Sequence, residues 1–280
     1  MIMSNKVWLI TGVSSGFGYE LTKQLLEKGE TVVGTVRNEK NVKDFMKNYP
    51  DTFFRKFLDV TEVTAISDLV KSVYKKLGRI DVVISNAGYG LFGAAEELTN
   101  EEINQIIATN LTGSIQLIRS VLPFMRKQGY GRIIQISSYG GQVAFAGNSL
   151  YHATKWGIEG FVESVAKEVA PFNIGMTIVE PGGARTQFRY GSAQVANLMS
   201  EYNGNPAHAF LTMLNPENGL AVGNPVKMAE RIIESVNVDP APMRLVLGSQ
   251  ALSDTIQVLE ERIDKFKEQR EIAASTDIND

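Results

Sequence analysis

Short apolar runs alternate with amphipathic stretches at helical spacing along most of the chain, and this alternation restricts the fold more than any other feature. Residues 7–11, 31–36, 52–58, 80–85, 132–137 and 174–179 are apolar or β-branched and read as strands. Between them, 65–77, 101–128 and 150–169 carry helical periodicity, and Leu21, Leu25 and Leu26 mark an earlier helix stopped by Gly29. Thr99 with Glu102 forms a capping box ahead of the long helix. A strand that follows a helix in this way joins a parallel sheet, because each parallel connection needs a crossover. The strands are almost continuously apolar, as strands covered on both faces must be. The reading is α/β: one doubly wound, mostly parallel sheet.

A length of 280 residues fits a single large domain, 1–280, and neither linker, repeat nor low-complexity segment divides it. Beyond Pro181 the pattern loosens. Residues 185–224 are rich in Gly, Asn, Tyr and Met, which predicts a substrate lid. Pro225 opens another helix, and 244–247 read as a last strand. Over 250–271, Leu252, Ile256, Leu259, Ile263 and Phe266 form one apolar helical face, expected to be buried on its own chain or on a partner.

Composition excludes several classes of function. With 44% apolar and 21% charged residues and a net charge of −3, the chain has no basic footprint for nucleic acid. It has no cysteine, so disulfides and thiolate metal sites are out. His152 and His208 have no metal-ligand spacing, so no metal is expected. No stretch approaches the ~20 apolar residues of a membrane helix, and the start shows no apolar leader. A cytoplasmic address is the expectation, with no membrane partner.

The turn after the first strand reads Thr11-Gly12-Val13-Ser14-Ser15-Gly16-Phe17-Gly18. Glycines there allow a tight turn and bring backbone N–H groups to a pyrophosphate at a helix N-terminus. The same residues also suit a turn that only joins strand to helix. Tyr151 and Lys155 stand at i and i+4, on one face of a helix. An ammonium ~5 Å away, at an effective dielectric of ~20, favours the phenolate by roughly 3 kcal/mol before desolvation. That suits acid–base work, although such pairs are common on solvated helices too. Ser138 follows a strand's carboxyl end, where open α/β sheets place ligands, and its hydroxyl can donate to a substrate oxygen. Ser137 reads as strand-end turn chemistry. Asn110, inside the long helix, is a poor helix former whose side chain or a water can kink it and tie Lys155 to solvent.

With these residues in order, the chain resembles the short-chain dehydrogenase/reductase family over nearly its whole length. The resemblance rests on Thr11-Gly12-x-x-x-Gly16-x-Gly18, Asp59-Val60, Asn86-Ala87-Gly88, Asn110, Ser138, Tyr151-x-x-x-Lys155, and Pro181-Gly182 with Thr186. It implies a Rossmann-type fold, a catalytic set of Ser138, Tyr151 and Lys155, and Asn110 as a proton-relay member. It also implies cofactor contacts from Gly12, Ser14, Ser15, Gly16, Phe17 and Gly18. Asp59 and Val60 would hold the adenine, Asn86, Ala87 and Gly88 would shape the sheet beside the cofactor, and Pro181, Gly182 and Thr186 would hold the nicotinamide side. Ser85 departs from the family, which often has a second asparagine there. Residues 155–161 and 179–183 look most like the hydroxysteroid-dehydrogenase-like branch. The resemblance also implies a homodimer or homotetramer.

Cofactor choice is read at the end of the second strand, where a carboxylate favours NAD and repels a 2′-phosphate. That carboxylate is missing. Arg37 stands there with Asn38 beside it, a pairing suited to a phosphate, so NADP(H) is expected. Glu39 leaves NAD(H) open. The predicted activity interconverts an alcohol and a ketone or aldehyde on an apolar small molecule. Phe92, Tyr139, Phe145, Phe188, Tyr190, Met199, Tyr202, Phe210 and Met213 are candidates for its pocket, with Arg185 and Arg189 the charged exceptions in the lid. Two other readings compete: a non-catalytic NADP-binding sensor, which predicts decay at Ser138, Tyr151 or Lys155, and a sugar-nucleotide epimerase or dehydratase. The glycine spacing and the short length after Pro181 disfavour the second.

Overall fold

The computed structural model describes residues 5–39 and 41–278; residues 1–4, part of the start searched for a leader, lie outside them. The strands run β1 (Val7–Ile10), β2 (Thr31–Val36), β3 (Phe53–Phe57), β4 (Val82–Ser85), a two-residue β5 (Leu91–Phe92) and β6 (Gly131–Ile136). β7 (Ile174–Pro181), a two-residue β8 (Gln194–Val195) and β9 (Arg244–Leu247) follow. Among the described residues, seven of them form one all-parallel sheet in the order β3-β2-β1-β4-β6-β7-β9. β5 and β8 pair separately.

Period-two alternation sends each strand's side chains into two cores. Trp8 and Ile10 of β1, with Val82 and Ile84 of β4, join the helices Gly16–Glu27 and Pro225–Ser235. Leu9 and Val83 point the other way, into the helices Val63–Leu77, Gly113–Gln128 and Ser149–Val169. Fully burying one such side chain contributes roughly 1.5–3 kcal/mol, so a one-residue register slip is strongly opposed. The direction of strand progression reverses between β1 and β4, and the crevice at their carboxyl ends is where a doubly wound sheet takes its ligand.

Thr99 caps its helix as expected, accepting from the Glu102 N–H at 3.2 Å while Glu102 accepts from the Thr99 N–H at 2.9 Å. The helical reading over 101–128 holds without a break, but a π-helical segment, Ile107–Thr112, lies between Asn100–Ile106 and Gly113–Gln128. A π segment widens the backbone and often marks a functional site. A short helix, Lys43–Asn48, was not anticipated; Val42 at its N-cap has no side-chain acceptor to signal it.

The segment 185–224 is built of short helical stretches and the strand β8, tied to the body. Gln194 and Ala196 donate from their backbone N–H groups to Gly90 and Phe92, and Glu97 accepts from the Met199 N–H at 2.7 Å. His208 Nε2 also lies 2.7 Å from the same carboxylate. The C-terminal helix runs Ser249–Lys267, then Arg270–Ala274. Its own chain covers the apolar stripe only in part: Leu259 is half-buried, but Phe266 is 64% exposed, and Leu252, Ile256 and Ile263 are about half exposed. Ala251 and Thr255 face inward instead. No helix among the described residues is long and apolar enough to cross a membrane.

Candidate active site

β1 ends at the Gly-rich turn. Gly12 has φ +74°, a conformation that L side chains rarely adopt, and its N–H reaches the Thr35 carbonyl at 3.1 Å. A Cβ on Gly18 would sit 2.2 Å from the Gly12 carbonyl oxygen, so Gly18 packs the helix onto the turn. Ser15, at the N-cap of that helix, gives no side-chain cap, and the first turn carries no acidic residue. The helix's free N–H groups and positive end are therefore left for an anion. Asn86 staples this turn to β4: its Nδ2 donates to the carbonyls of Thr11 at 2.8 Å and Gly12 at 3.1 Å. Thr11 Oγ1 accepts from the backbone N–H groups of Asn86 and Ala87. Ser85, the departure from the family pattern, hydrogen-bonds Ser114 of the helix Gly113–Gln128 at 3.1 Å.

One cavity of about 600 Å³ runs from this turn across the carboxyl ends of the strands. At one end lie Ser14, Ser15, Gly16, Phe17, Arg37, Asp59 and Val60; Ala87, Gly88, Ser138, Tyr151, Lys155, Pro181, Gly182 and Thr186 line the rest. Thr35, Val36 and Leu58, which the sequence reading did not name, wall the first end. Gly18 and Asn38 are not among the lining residues. Glu39 pairs with Arg55 on β3 and does not line the cavity either. Asp59 accepts from the N–H and hydroxyl of Thr61, which hold its carboxyl below the usual range, with Arg37 adding in the same direction. These residues fit a dinucleotide: glycines and free N–H groups for the pyrophosphate, apolar walls for the base, and a cation beside the ribose.

Ser138 sits just past β6, where its Oγ accepts from the Gly140 N–H at 3.0 Å. His152 fixes the loop that follows. Its Nε2 accepts from the Phe145 N–H at 3.0 Å, so its Nδ1–H donates to the Gly140 carbonyl at 2.7 Å, and the ring is neutral. Burial lowers its pKa, in keeping with that. Trp156 donates to the same carbonyl at 3.1 Å. Ser137 is not turn chemistry: its hydroxyl points inward and donates to Glu159 at 2.5 Å.

Tyr151 and Lys155 lie on one face of Ser149–Val169, both buried. The expected depression of the Tyr151 pKa is corrected. Burial pushes the phenol up to about 12, and the Ser138 hydrogen bond only opposes this. Burial also brings Lys155 down to about 8, against the pull of Glu159. The sequence argument counted the charge pair and not the loss of water, and here desolvation wins. Lys155 Nζ donates to the Ile136 carbonyl at 3.0 Å.

Asn110, 1% exposed, occupies the π segment. Its Oδ1 accepts from the Tyr89 N–H at 3.1 Å, and its Nδ2 donates to the Tyr89 carbonyl at 2.9 Å. The side chain thus clamps the backbone beyond Gly88 and does not itself bond Lys155. Of the apolar candidates, Phe92, Tyr139, Phe145, Phe188, Phe210 and Met213 line the far end of the cavity, while Tyr190, Met199 and Tyr202 do not. Among the described residues no cluster of His, Asp and Glu could hold a metal ion.

The family model described as short chain dehydrogenase matches residues 6–195. Oxidoreductase BOA17 of Botryotinia fuckeliana is 34% identical over 267 residues, 94% of this chain and 97% of its own. A short-chain dehydrogenase structure from Streptomyces avermitilis is 36% identical with a TM-score of 0.91, covering 98% of this chain and 99% of its own. The structure of ElxO with NADP bound is 26% identical with a TM-score of 0.72, covering 89% of this chain and all of its own.

Proposed function

The chain belongs to the short-chain dehydrogenase/reductase family, whose members are nicotinamide-dependent oxidoreductases, and on that premise we propose that it interconverts an alcohol and a ketone or aldehyde on an apolar small molecule with NADP(H). One observation carries this reading: a single cavity joins the Gly-rich turn to Ser138, Tyr151 and Lys155. When bound, the cofactor supplies or accepts the hydride at its nicotinamide ring.

The chain's own residues would handle the proton. With its pKa near 12, Tyr151 holds its proton at neutral pH, and that proton is the one given to a carbonyl oxygen as it becomes an alcohol. Ser138 donates a hydrogen bond to the same oxygen. Lys155, pinned by the Ile136 carbonyl, sets positive charge beneath the phenol and stabilises it once it has lost its proton. Asn110 acts as a relay member, keeping the π segment open so that its backbone can hold water behind Lys155.

Gly12, Ser14, Ser15, Gly16 and Phe17 would take the pyrophosphate, Asp59 and Val60 the adenine, and Arg37 the 2′-phosphate that makes the cofactor NADP(H). ElxO, with NADP bound, supports that preference. Asn86, Ala87, Gly88, Pro181, Gly182 and Thr186 would frame the nicotinamide end. Residues 185–224 would form the lid, supported by Phe188, Phe210 and Met213 in the cavity wall. A homodimer or homotetramer is proposed on the exposed part of the stripe on the C-terminal helix. The hydroxysteroid-dehydrogenase-like branch stays part of this reading and fixes no substrate. The sensor alternative is disfavoured because Ser138, Tyr151 and Lys155 are all intact. The test is NADPH absorbance with a panel of apolar ketones, aldehydes and alcohols: turnover is expected, and cofactor binding with no turnover on any of them favours the sensor.

A further inference from the structure

The two ends of the cavity differ in charge. Asp59, at the adenine-side end, is the one carboxylate lining it among the described residues. The far end, walled by Phe92, Phe145, Phe188, Phe210 and Met213, holds a single arginine, Arg189. Arg189 is half-buried, and its Nε is shut off from solvent with no hydrogen-bond partner. It forms no ion pair among the described residues, and its recorded ring contact is with Tyr190 at 5.8 Å. Its Nη1 lies beside Gly183, 3.5 Å from where a Cβ on that residue would stand, and both residues line the cavity.

An apolar pocket uses a few polar groups to fix a ligand's orientation, and the Nη groups of Arg189 are the ones open to it. A guanidinium matches a carboxylate in paired, charge-assisted hydrogen bonds. We infer that Arg189 is a specificity-determining residue that seats a carboxylate carried by an otherwise apolar carbonyl substrate. This rests on the reading of the cavity given above, and narrows its substrate class to amphiphilic oxo acids.

The test compares kcat/KM for a medium-chain oxo acid and its methyl ester in the wild type, Arg189→Gln and Arg189→Lys, with the NADPH Kd measured on each. Losing one charge-assisted bond predicts a roughly ten- to hundredfold fall for the acid in Arg189→Gln. The ester should stay within about threefold, and Arg189→Lys should restore part of the preference for the acid. Equal losses on acid and ester overturn the assignment. So does a loss confined to NADPH affinity, which would give the guanidinium to a cofactor phosphate. If no carbonyl compound turns over, the proposed reaction fails, and calorimetry of decanoate on the NADPH-loaded protein still reads Arg189. Decanoate binding weakened about tenfold or more by Arg189→Gln supports the inference; binding that is absent or unchanged overturns it.

Discussion

The ammonium of Lys155 lies 5.5 Å from the centre of the Tyr151 ring, and burial raises the phenol's pKa to about 12 while lowering the amine's to about 8. At neutral pH the phenol keeps its proton and the amine keeps its charge in a dry site, so each proton transfer there is sensitive to what occupies the cavity.

Lys155→Met is expected to lose turnover and some cofactor affinity, yet to gain stability at neutral pH. The folded amine has a pKa below its ordinary 10.5, so between about 8 and 10.5 the folded chain binds fewer protons than the unfolded one. Wild-type stability therefore rises with pH across that window, and below it the full burial penalty applies, roughly 3 kcal/mol. Melting curves from pH 7 to 10 should show the advantage of the Met variant shrinking as pH rises. Parallel curves would contradict a buried, strained ammonium.

Arg37→Ala is expected to weaken NADPH roughly ten- to a hundredfold, the loss of one charge-assisted contact, and to leave NADH little changed. Glu39 is engaged with Arg55 and does not line the cavity, so it does not compete for the ribose. Dissociation constants for both cofactors on both proteins decide the matter. Equal losses would mean that Arg37 does not read the phosphate.

Arg244 bridges three carboxylates: Glu159 at 2.5 Å, Glu163 at 2.6 Å, and Glu180. Glu159 and Glu180 are fully buried, and burial together with the neighbouring Glu159 raises the Glu180 pKa to about 7. Arg244→Met strands both of them, a loss of roughly 3–5 kcal/mol. A carboxylate with a raised pKa keeps its proton in the fold, so the penalty grows as pH rises from about 4.5 through 7. The melting temperature of the variant should drop more at pH 8 than at pH 5, and an equal drop at both would argue against the buried pair.

Ile256→Asp tests the stripe on the C-terminal helix. Because Ile256 is about half exposed in the single chain, a charge there leaves the folded subunit intact and disrupts only a covering partner. Light scattering should show a smaller assembly for the variant. An unchanged mass would leave the stripe in solvent.

The fold was legible because strands buried on both faces and helices with one apolar face leave different periods in the sequence, and the parallel order follows from their alternation. Thr99 with Glu102, and Pro225 in a first helical turn, were readable for the same reason, since helix starts are local chemistry. The π segment was not. Asn110 within it bonds Tyr89, a contact between distant residues that local periodicity does not carry. Ser137 was misread because its partner, Glu159, is one helix away. In the candidate site, residue types and spacing marked Ser138, Tyr151 and Lys155, but not how dry they are. Hence the direction of the Tyr151 pKa was missed. Thr35 and Leu58 carry no motif and were visible only as walls of the folded cavity. The C-terminal stripe showed its period but not what covers it.

The most direct test of the account is Tyr151→Phe. The phenyl ring keeps the packing of a side chain only 8% exposed but has no proton to give. General acid–base loss is typically worth ~10²–10⁴ in rate. NADPH oxidation with any carbonyl compound that the wild type reduces should fall by at least that range, while the NADPH Kd stays within a few fold. Near wild-type turnover in Tyr151→Phe, with cofactor binding intact, would contradict the assignment of the transferred proton to Tyr151.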